Sequence, residues 1–369
     1  MRIVFWQNML SFHQSAHIRA LAATPGCEVT WVVQEIAPPE RVALGWPVPD
    51  AGRARVVVNP DDAAVGDLAR ERQEESVHIF SGHRACRVVA RGLAACTPTT
   101  ATIGVLGERQ DGRGLRGLGR LIRARHDWRR LRERIRFLLA IGDGAPEWYR
   151  RCGCPAERIY PYGYFMEPPE SVPSAERPHG GPVRLIFVGQ FIPRKGGDIL
   201  LRALAQVSTI DWVCELVGGG AEEAAWRQLT ERNRLAGRVR FTPPLLSAEC
   251  MEKLSRADVL VLPSRFDGWG AVVSEALMRG VPAVCTDECG AAALLRDTWR
   301  GDVLRAGSVS ALRHALERWI DHGPRAPGES QRIIDWSQCI TGESAAAYLL
   351  AVVRHARAEG PRPEVPWWD

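Results

Sequence analysis

Short apolar runs alternate with stretches of helical periodicity along the whole chain. In the first half, the runs at 3–6, 29–33, 55–58, 77–80, 99–105 and 137–141 have the length of strands and little polar alternation. Between them, 14–23, 62–75 and 84–95 space their apolar residues as helices do. The alternation stops at 167–182, EPPESVPSAERPHGGP, which is rich in proline and glycine and reads as a linker. It restarts at 183–188 and continues through 212–217, 239–241, 259–263 and 283–286, with helices between. Strands that are apolar throughout and separated by helices form parallel sheets covered on both faces. The pattern predicts an α/β protein of two doubly wound, Rossmann-like domains with a cleft between them. Ligands then lie beyond the carboxyl ends of the strands. The expected domains are 1–166 and 183–335, and a helix over 336–358 is expected to pack back on the first.

The length of 369 residues suits two domains at ~150 residues each. With 46% hydrophobic and 25% charged residues, a wholly disordered chain is excluded. The longest useful apolar run, 345–353, is about half of what a membrane span needs. The opening MRIVFWQNML reads as a buried strand rather than a signal peptide. A cytoplasmic protein is expected. Ten cysteines at irregular spacings fit no zinc template, which predicts reduced, mostly buried thiols and no metal site.

Net charge is +5, and of 48 basic residues only Lys195 and Lys253 are lysine. A chain that uses arginine for generic positive charge makes a lysine notable, because the compact ammonium is not interchangeable with guanidinium. The segment 109–136 carries eleven arginines against Asp111, Asp127 and Glu133, a local charge of +8. Within and just beyond it, Leu118, Leu121, Ile122, Trp128, Leu131, Ile135 and Leu138 recur at roughly helical spacing. This is either a basic amphipathic helix for an anionic membrane surface or a helix packed on the sheet with a solvated arginine face. Trp128 is the segment's one aromatic ring besides His126, so the interleaving that stacks nucleic-acid bases is missing. GRGLRG, 112–117, matches a dinucleotide fingerprint but does not directly follow its strand, and is set aside.

VRLIFVGQFIPRKGGDILLRAL is a buried strand, a turn at Gly189, then Arg194 and Lys195 ahead of a helix. An ammonium beside free backbone N–H groups at a helix start makes a phosphate site, and a solvated basic pair is the plain alternative. ADVLVLPSRFDGWGAVVSEALMRGVPAV is a strand, a loop with Asp267, and a helix starting near Gly270 that carries Glu275 between apolar flanks. A buried glutamate without a partner is costly, which favours a role over a solvated face. ELVGGGAEE adds a third glycine turn at Gly218. In the first half, His13, His83 and Glu108 follow strands, where ligand contacts and helix caps are both common. His17 reads as surface or packing.

The order VGQFIPRKG, ELVGGG, RFTPP, ADVLVLPSRFDGWGAVVSEALMRGVPAV, CGAAALL resembles the C-terminal domain of the family 4 glycosyltransferases, which have the GT-B fold. LLAIGDGAPEWYRRCGCPAERIYPYGYF in the first half is more loosely similar, especially to bacterial transferases that build cell-surface polysaccharides. The resemblance implies a retaining, metal-independent hexosyl transfer from a UDP- or GDP-linked sugar to a glycan or lipid-linked acceptor, with no cofactor. It implies that Lys195 neutralises the diphosphate, Glu275 holds the ribose and Asp267 touches the donor sugar. The amides at Gly270, Ala271 and Val272 would lie by the phosphate and sugar, and Gly189 and Gly218 beside the nucleotide. His13, His83 and Glu108 would serve acceptor or sugar. Two positions depart from the family pattern. Asp267 stands where glutamate is usual, and Gln190 where a phosphate-binding arginine is common, with Arg194 able to replace that charge. Two other readings compete: another nucleotide-sugar enzyme such as an epimerase, and a non-catalytic protein that binds sugar or nucleotide.

Overall fold

Each half of the chain builds a parallel sheet whose strand order reverses at its centre. The structure, a computed structural model, describes residues 1–38, 48–169, 181–209 and 211–368, so most of the expected linker lies outside the described residues. The first sheet contains β1 (Arg2–Met9), β2 (Glu28–Glu35), β3 (Arg55–Val58), β4 (Ser76–Ser81), β5 (Thr102–Glu108), β6 (Ile135–Ile141) and β7 (Ile159–Tyr162). Its order is β3-β2-β1-β4-β5-β6-β7, parallel throughout. The second contains β8 (Val183–Val188), β9 (Trp212–Val217), β10 (Val239–Thr242), β11 (Val259–Leu262), β12 (Ala283–Thr286) and β13 (Gly301–Leu304). Its order is β10-β9-β8-β11-β12-β13, again parallel.

Helices cross between the strands. They are α1 (Phe12–Ala23), α2 (Asp62–Arg70), α3 (Arg87–Cys96), α4 (Gly114–Leu131) and α5 (Ala145–Arg151), then α6 (Gly197–Leu204), α7 (Glu223–Arg232) and α8 (Ser247–Ser255). After them come α9 (Ala271–Leu277), α10 (Val309–His322), α11 (Pro327–Trp336) and α12 (Gly342–Ala356). The order reverses between β1 and β4 in one sheet and between β8 and β11 in the other. At such a point the loops leaving two neighbouring strands diverge and open a crevice.

The chain divides into two compact units, Met1–Glu167 with Cys339–Asp369, and Pro168–Gln338. In the first, α12 lies on α1 so closely that a Cβ on Gly342 would stand 2.5 Å from the Ala16 carbonyl oxygen. Tyr348 Oη donates to Pro161 O (3.1 Å) and Arg357 Nε to Thr102 Oγ1 (3.0 Å), which tie the returning segment to this sheet.

Two expectations need correction. The run at 99–105 becomes a strand only from Thr102, because Thr99 closes the turn after α3 by donating to Cys96 O (2.8 Å). The apolar stripe of the arginine segment is not one stripe. Leu121 and Trp128 are buried, and Ile135 and Leu138 belong to β6. Leu115, Leu118 and Ile122 are 89%, 53% and 60% exposed, so α4 has apolar residues on its outer surface as well. His17 is a packing residue, and burial pushes its imidazole down to about 3.

Candidate functional site

The crevice of the second unit is made by the loops after β8 and β11. β8 runs out through Gly189, whose N–H donates to Val217 O (3.0 Å), and β9 through Gly218, whose N–H donates to Thr242 O (3.0 Å). Phe191 is buried and Gln190 exposed, and a short turn over Pro193–Lys195 leads to Gly196. Gly196 has φ 72°, and a Cβ there would lie 2.1 Å from the Pro263 carbonyl oxygen at the end of β11. A backbone oxygen cannot step aside as a side chain can. Gly196→Ala is therefore expected to destabilise the protein by about 1–3 kcal/mol from backbone strain alone. The denaturant midpoint measures it, and an unchanged midpoint would mean that the turn relaxes.

This turn is zipped to the loop after β11. Arg265 N donates to Arg194 O (2.7 Å), and the Arg265 guanidinium donates to Pro193 O (2.6 Å) and to both oxygens of Asp198 (2.8 Å each). The zipper places Lys195 Nζ 2.5 Å from Asp267 Oδ2. Arg194 Nη1 is 3.5 Å from Asp267 Oδ1 and donates to Phe266 O (3.0 Å). Asp267 is itself buried. Its backbone N–H donates to Glu288 O (2.9 Å) and its carbonyl accepts from Gly290 N (3.1 Å). Two cations and one carboxylate thus meet at the strand ends.

Gly270 starts α9 with φ 89°, and a Cβ there would stand 2.6 Å from Cys289 Sγ. Trp269 Nε1 donates to Ser274 Oγ (3.0 Å), which pins the loop to the helix it precedes. α9 is seven residues long, with Ala271 and Val272 in its first turn and Glu275 one turn in. Burial raises the Glu275 carboxyl above its usual range, and Arg279 only partly opposes this. Arg279 Nη1 donates to the Glu275 backbone carbonyl (3.1 Å), not to its carboxylate. That carboxylate has no hydrogen-bond or ion-pair partner among the described residues.

The structure adds a second lysine pair. Lys253 on α8 reaches Glu215 on β9 (2.8 Å), which also accepts from Thr242 Oγ1 on β10. Cys250, one turn before Lys253, has its thiol pushed up to about 11 by burial and by the Glu275 carboxylate, so this pair and Glu275 share one neighbourhood. The scarcity of lysine was the available signal for Lys253. Arg265 and Asp198 gave none.

In the first unit the remaining sequence candidates gather where the loops after β1, β4 and β5 meet. His13 stacks on Tyr164 (centroids 4.7 Å, planes 2° apart), and Tyr164 Oη donates to Glu108. His83 Nε2 lies 2.8 Å from Asp127 Oδ2, and Arg84 Nη2 2.7 Å from Asp127 Oδ1. His83, Glu108 and Tyr164 line a cavity of about 530 Å³ together with Gln7, Ser11 and Trp128.

Comparison with known proteins bears on the second unit. Residues 171–334 match the family described as Glycosyl transferases group 1. The matched segment lies wholly within the second unit. A glycogen synthase of Mycobacterium tuberculosis is 29% identical over 204 residues, 52% of this chain and 48% of that protein. A D-inositol 3-phosphate glycosyltransferase of Streptomyces coelicolor is 29% identical over 190 residues, 47% of this chain and 41% of that protein. The chain spans about half the length of the curated relatives it matches. Among solved structures, Anabaena HepE (Alr3699) in complex with UDP superposes with TM-score 0.72 at 15% identity, covering 96% of this chain and all of that one. WaaG, a glycosyltransferase involved in lipopolysaccharide biosynthesis, superposes with TM-score 0.56 at 17% identity, covering 93% and 98%. The fold is that of the GT-B glycosyltransferases, as the resemblance predicted, and its two doubly wound sheets are those the sequence pattern predicted.

Proposed function

We propose that the protein is a retaining glycosyltransferase. It moves a hexosyl group from a UDP- or GDP-linked sugar to a glycan or lipid-linked acceptor of cell-surface glycan synthesis. The observation that carries this reading is the meeting of Lys195, Arg194 and Asp267 at the strand ends of a group 1 domain. A sugar departing from its nucleotide leaves negative charge on the diphosphate, and fixed cations stabilise that charge as it develops. Lys195 and Arg194 would do so, Asp267 would accept from sugar hydroxyls, and the partnerless Glu275 carboxylate would accept from the ribose. Gly189, Gly218 and the amides from Gly270 to Val272 let backbone approach the nucleotide. UDP in the HepE complex supports a nucleotide donor. Retention of configuration rests on the family likeness.

The test is a panel of nucleotide sugars with and without acceptors. Free nucleotide released only in the presence of an acceptor supports transfer. Binding without turnover supports the second reading, a non-catalytic sugar or nucleotide binder, which the tying of the short Asp267 side chain to Lys195 favours. Because the proposed charge stabilisation comes from side chains, we expect a chelator to leave transfer unchanged. Activity lost in EDTA and restored by magnesium or manganese would overturn that part.

The arginine helix supports work at an anionic membrane surface, on the cytoplasmic side. Leu115, Leu118 and Ile122 share one exposed face of α4. Beside them Arg116, Arg123, Arg129 and Arg130 have no ion pair among the described residues. No described helix is long and apolar enough to cross a membrane. Each arginine near anionic lipid contributes ~1 kcal/mol. We expect binding to anionic but not neutral liposomes, lost at high salt and in a Leu115/Leu118/Ile122→Ser variant. Absence of binding at low salt would favour a soluble acceptor.

A further inference from the structure

The inner side of α4 carries a buried carboxylate that the proposed chemistry has not used. Besides Glu275, already described, the buried acids among the described residues are Asp127, Asp258 and Asp267. Asp258 is accounted for by the backbone, since it accepts from Arg184 N (2.7 Å) and Arg325 N (3.2 Å) and so joins chain segments. Asp267 belongs to the donor loop. Asp127, 4% exposed, is different: both its partners are side chains, His83 and Arg84, and both line the 530 Å³ cavity of the first unit. Ala124, Trp128 and Leu131 of the same helix line it too.

An ionised carboxylate can only accept, so the ring nitrogen facing it carries the proton. The contact is through Nε2 (2.8 Å), which in the neutral imidazole leaves His83 Nδ1 as the acceptor. Nδ1 has no partner among the described residues. Asn8 and Ser11 add an amide and a hydroxyl to the lining, while the Gln7 amide is bonded to Gln14 and Trp31 and the Tyr164 hydroxyl to Glu108. Its charges are Arg84 against Asp127 behind it and Glu108 in front, so no excess positive charge awaits an anionic ligand. A neutral polyhydroxylated ligand fits that balance.

We propose that Asp127 is the positioning residue of a hydroxyl subsite in this cavity. It fixes His83 as the Nε2–H tautomer, so that Nδ1 accepts from one hydroxyl of a neutral sugar acceptor. The subsite rests on the transferase reading, but its geometry can be tested without it. In ligand-free protein, ¹⁵N-resolved NMR of the His83 ring should show the Nε2–H tautomer alone, and Asp127→Asn a mixture. In kinetics, D127N should raise the acceptor KM by roughly 10- to 100-fold, the value of one well-placed hydrogen bond to a charge-supported group. Donor affinity by calorimetry and kcat should hold. His83→Gln should raise KM similarly, and the double variant should be no worse than either single, because the two act as one unit. An Nδ1–H tautomer in the wild type, an unchanged KM, or additive losses would overturn the proposal. If D127N does not fold, His83→Gln on the loop carries the kinetic test and the wild-type tautomer the other. Should the wild type transfer to no acceptor, the transferase reading fails, while the tautomer still decides the positioning role.

Discussion

Lys195→Ala is expected to lower donor turnover by ~30- to 1,000-fold, the equivalent of roughly 2–4 kcal/mol in the transition state. Lys195 is one of two lysines in a chain that otherwise carries arginine, and its Nζ sits 2.5 Å from the buried Asp267. That pairing brings a second effect. Without the ammonium, Asp267 keeps only Arg194, at 3.5 Å, as a cationic neighbour among the described residues. A half-compensated buried carboxylate destabilises, so K195A should also melt earlier. The double variant K195A/D267N separates the two effects. It should recover the melting temperature and stay inactive, because no neutral side chain replaces the charge proposed to meet the diphosphate. Turnover near wild type in either variant would remove Lys195 from the donor site.

Glu275→Gln is expected to weaken nucleotide binding by roughly 10- to 100-fold, whichever sugar is attached, and to stabilise the folded protein at neutral pH. The two effects have one cause. Burial raises the Glu275 carboxyl above its usual value of 4.5. An acid whose folded pKa is raised binds its proton more tightly folded than unfolded. Its contribution is therefore most favourable below the usual value and is lost as pH rises through the raised one. Glutamine carries no charge and escapes the loss. The Tm advantage of the variant should be small near pH 4 and grow toward pH 7, while calorimetry shows weaker nucleotide binding throughout the neutral range. A variant that is less stable at pH 7 would mean that the carboxylate has a structural partner. Equal affinity would sink its assignment to the ribose.

What could be read from the sequence was what local pattern encodes. β1, β2, β8 and β11 are apolar on both faces because helices cover both sides of each sheet, and such runs stand out. β7 and β13 do not. IYPY contains Pro161, tolerable because an edge strand needs fewer ladder bonds, and GDVL, an edge strand of the second sheet, begins with Gly301 and a charged residue. In the site, Lys195 and Asp267 were legible as loop residues because strand–loop–helix segments announce their loops. Their direct pairing was not, nor was the Arg265–Asp198 clamp 67 residues apart in sequence or Lys253–Glu215 at 38. Such pairs exist only once parallel strands are in register. Asp127 was the most deeply hidden. One acid among many arginines looks like part of a solvated face, and only the packing of α4 shows that it points inward.

The return of residues 339–369 to the first unit gives the molecule an order of assembly. The ribosome finishes Met1–Glu167 early, but α12, which covers α1, is made only after the 171 residues of the second unit. At ~5–20 residues per second that is a wait of ~9–35 s. During it the buried face of α1, with Ile18 and Leu21, lacks the helix that packs on it. The second unit has no such debt, since all its strands and helices are contiguous in the chain. It can fold while the first is still open, so the nascent chain would hold a finished second unit and an unfinished first one that invites chaperones.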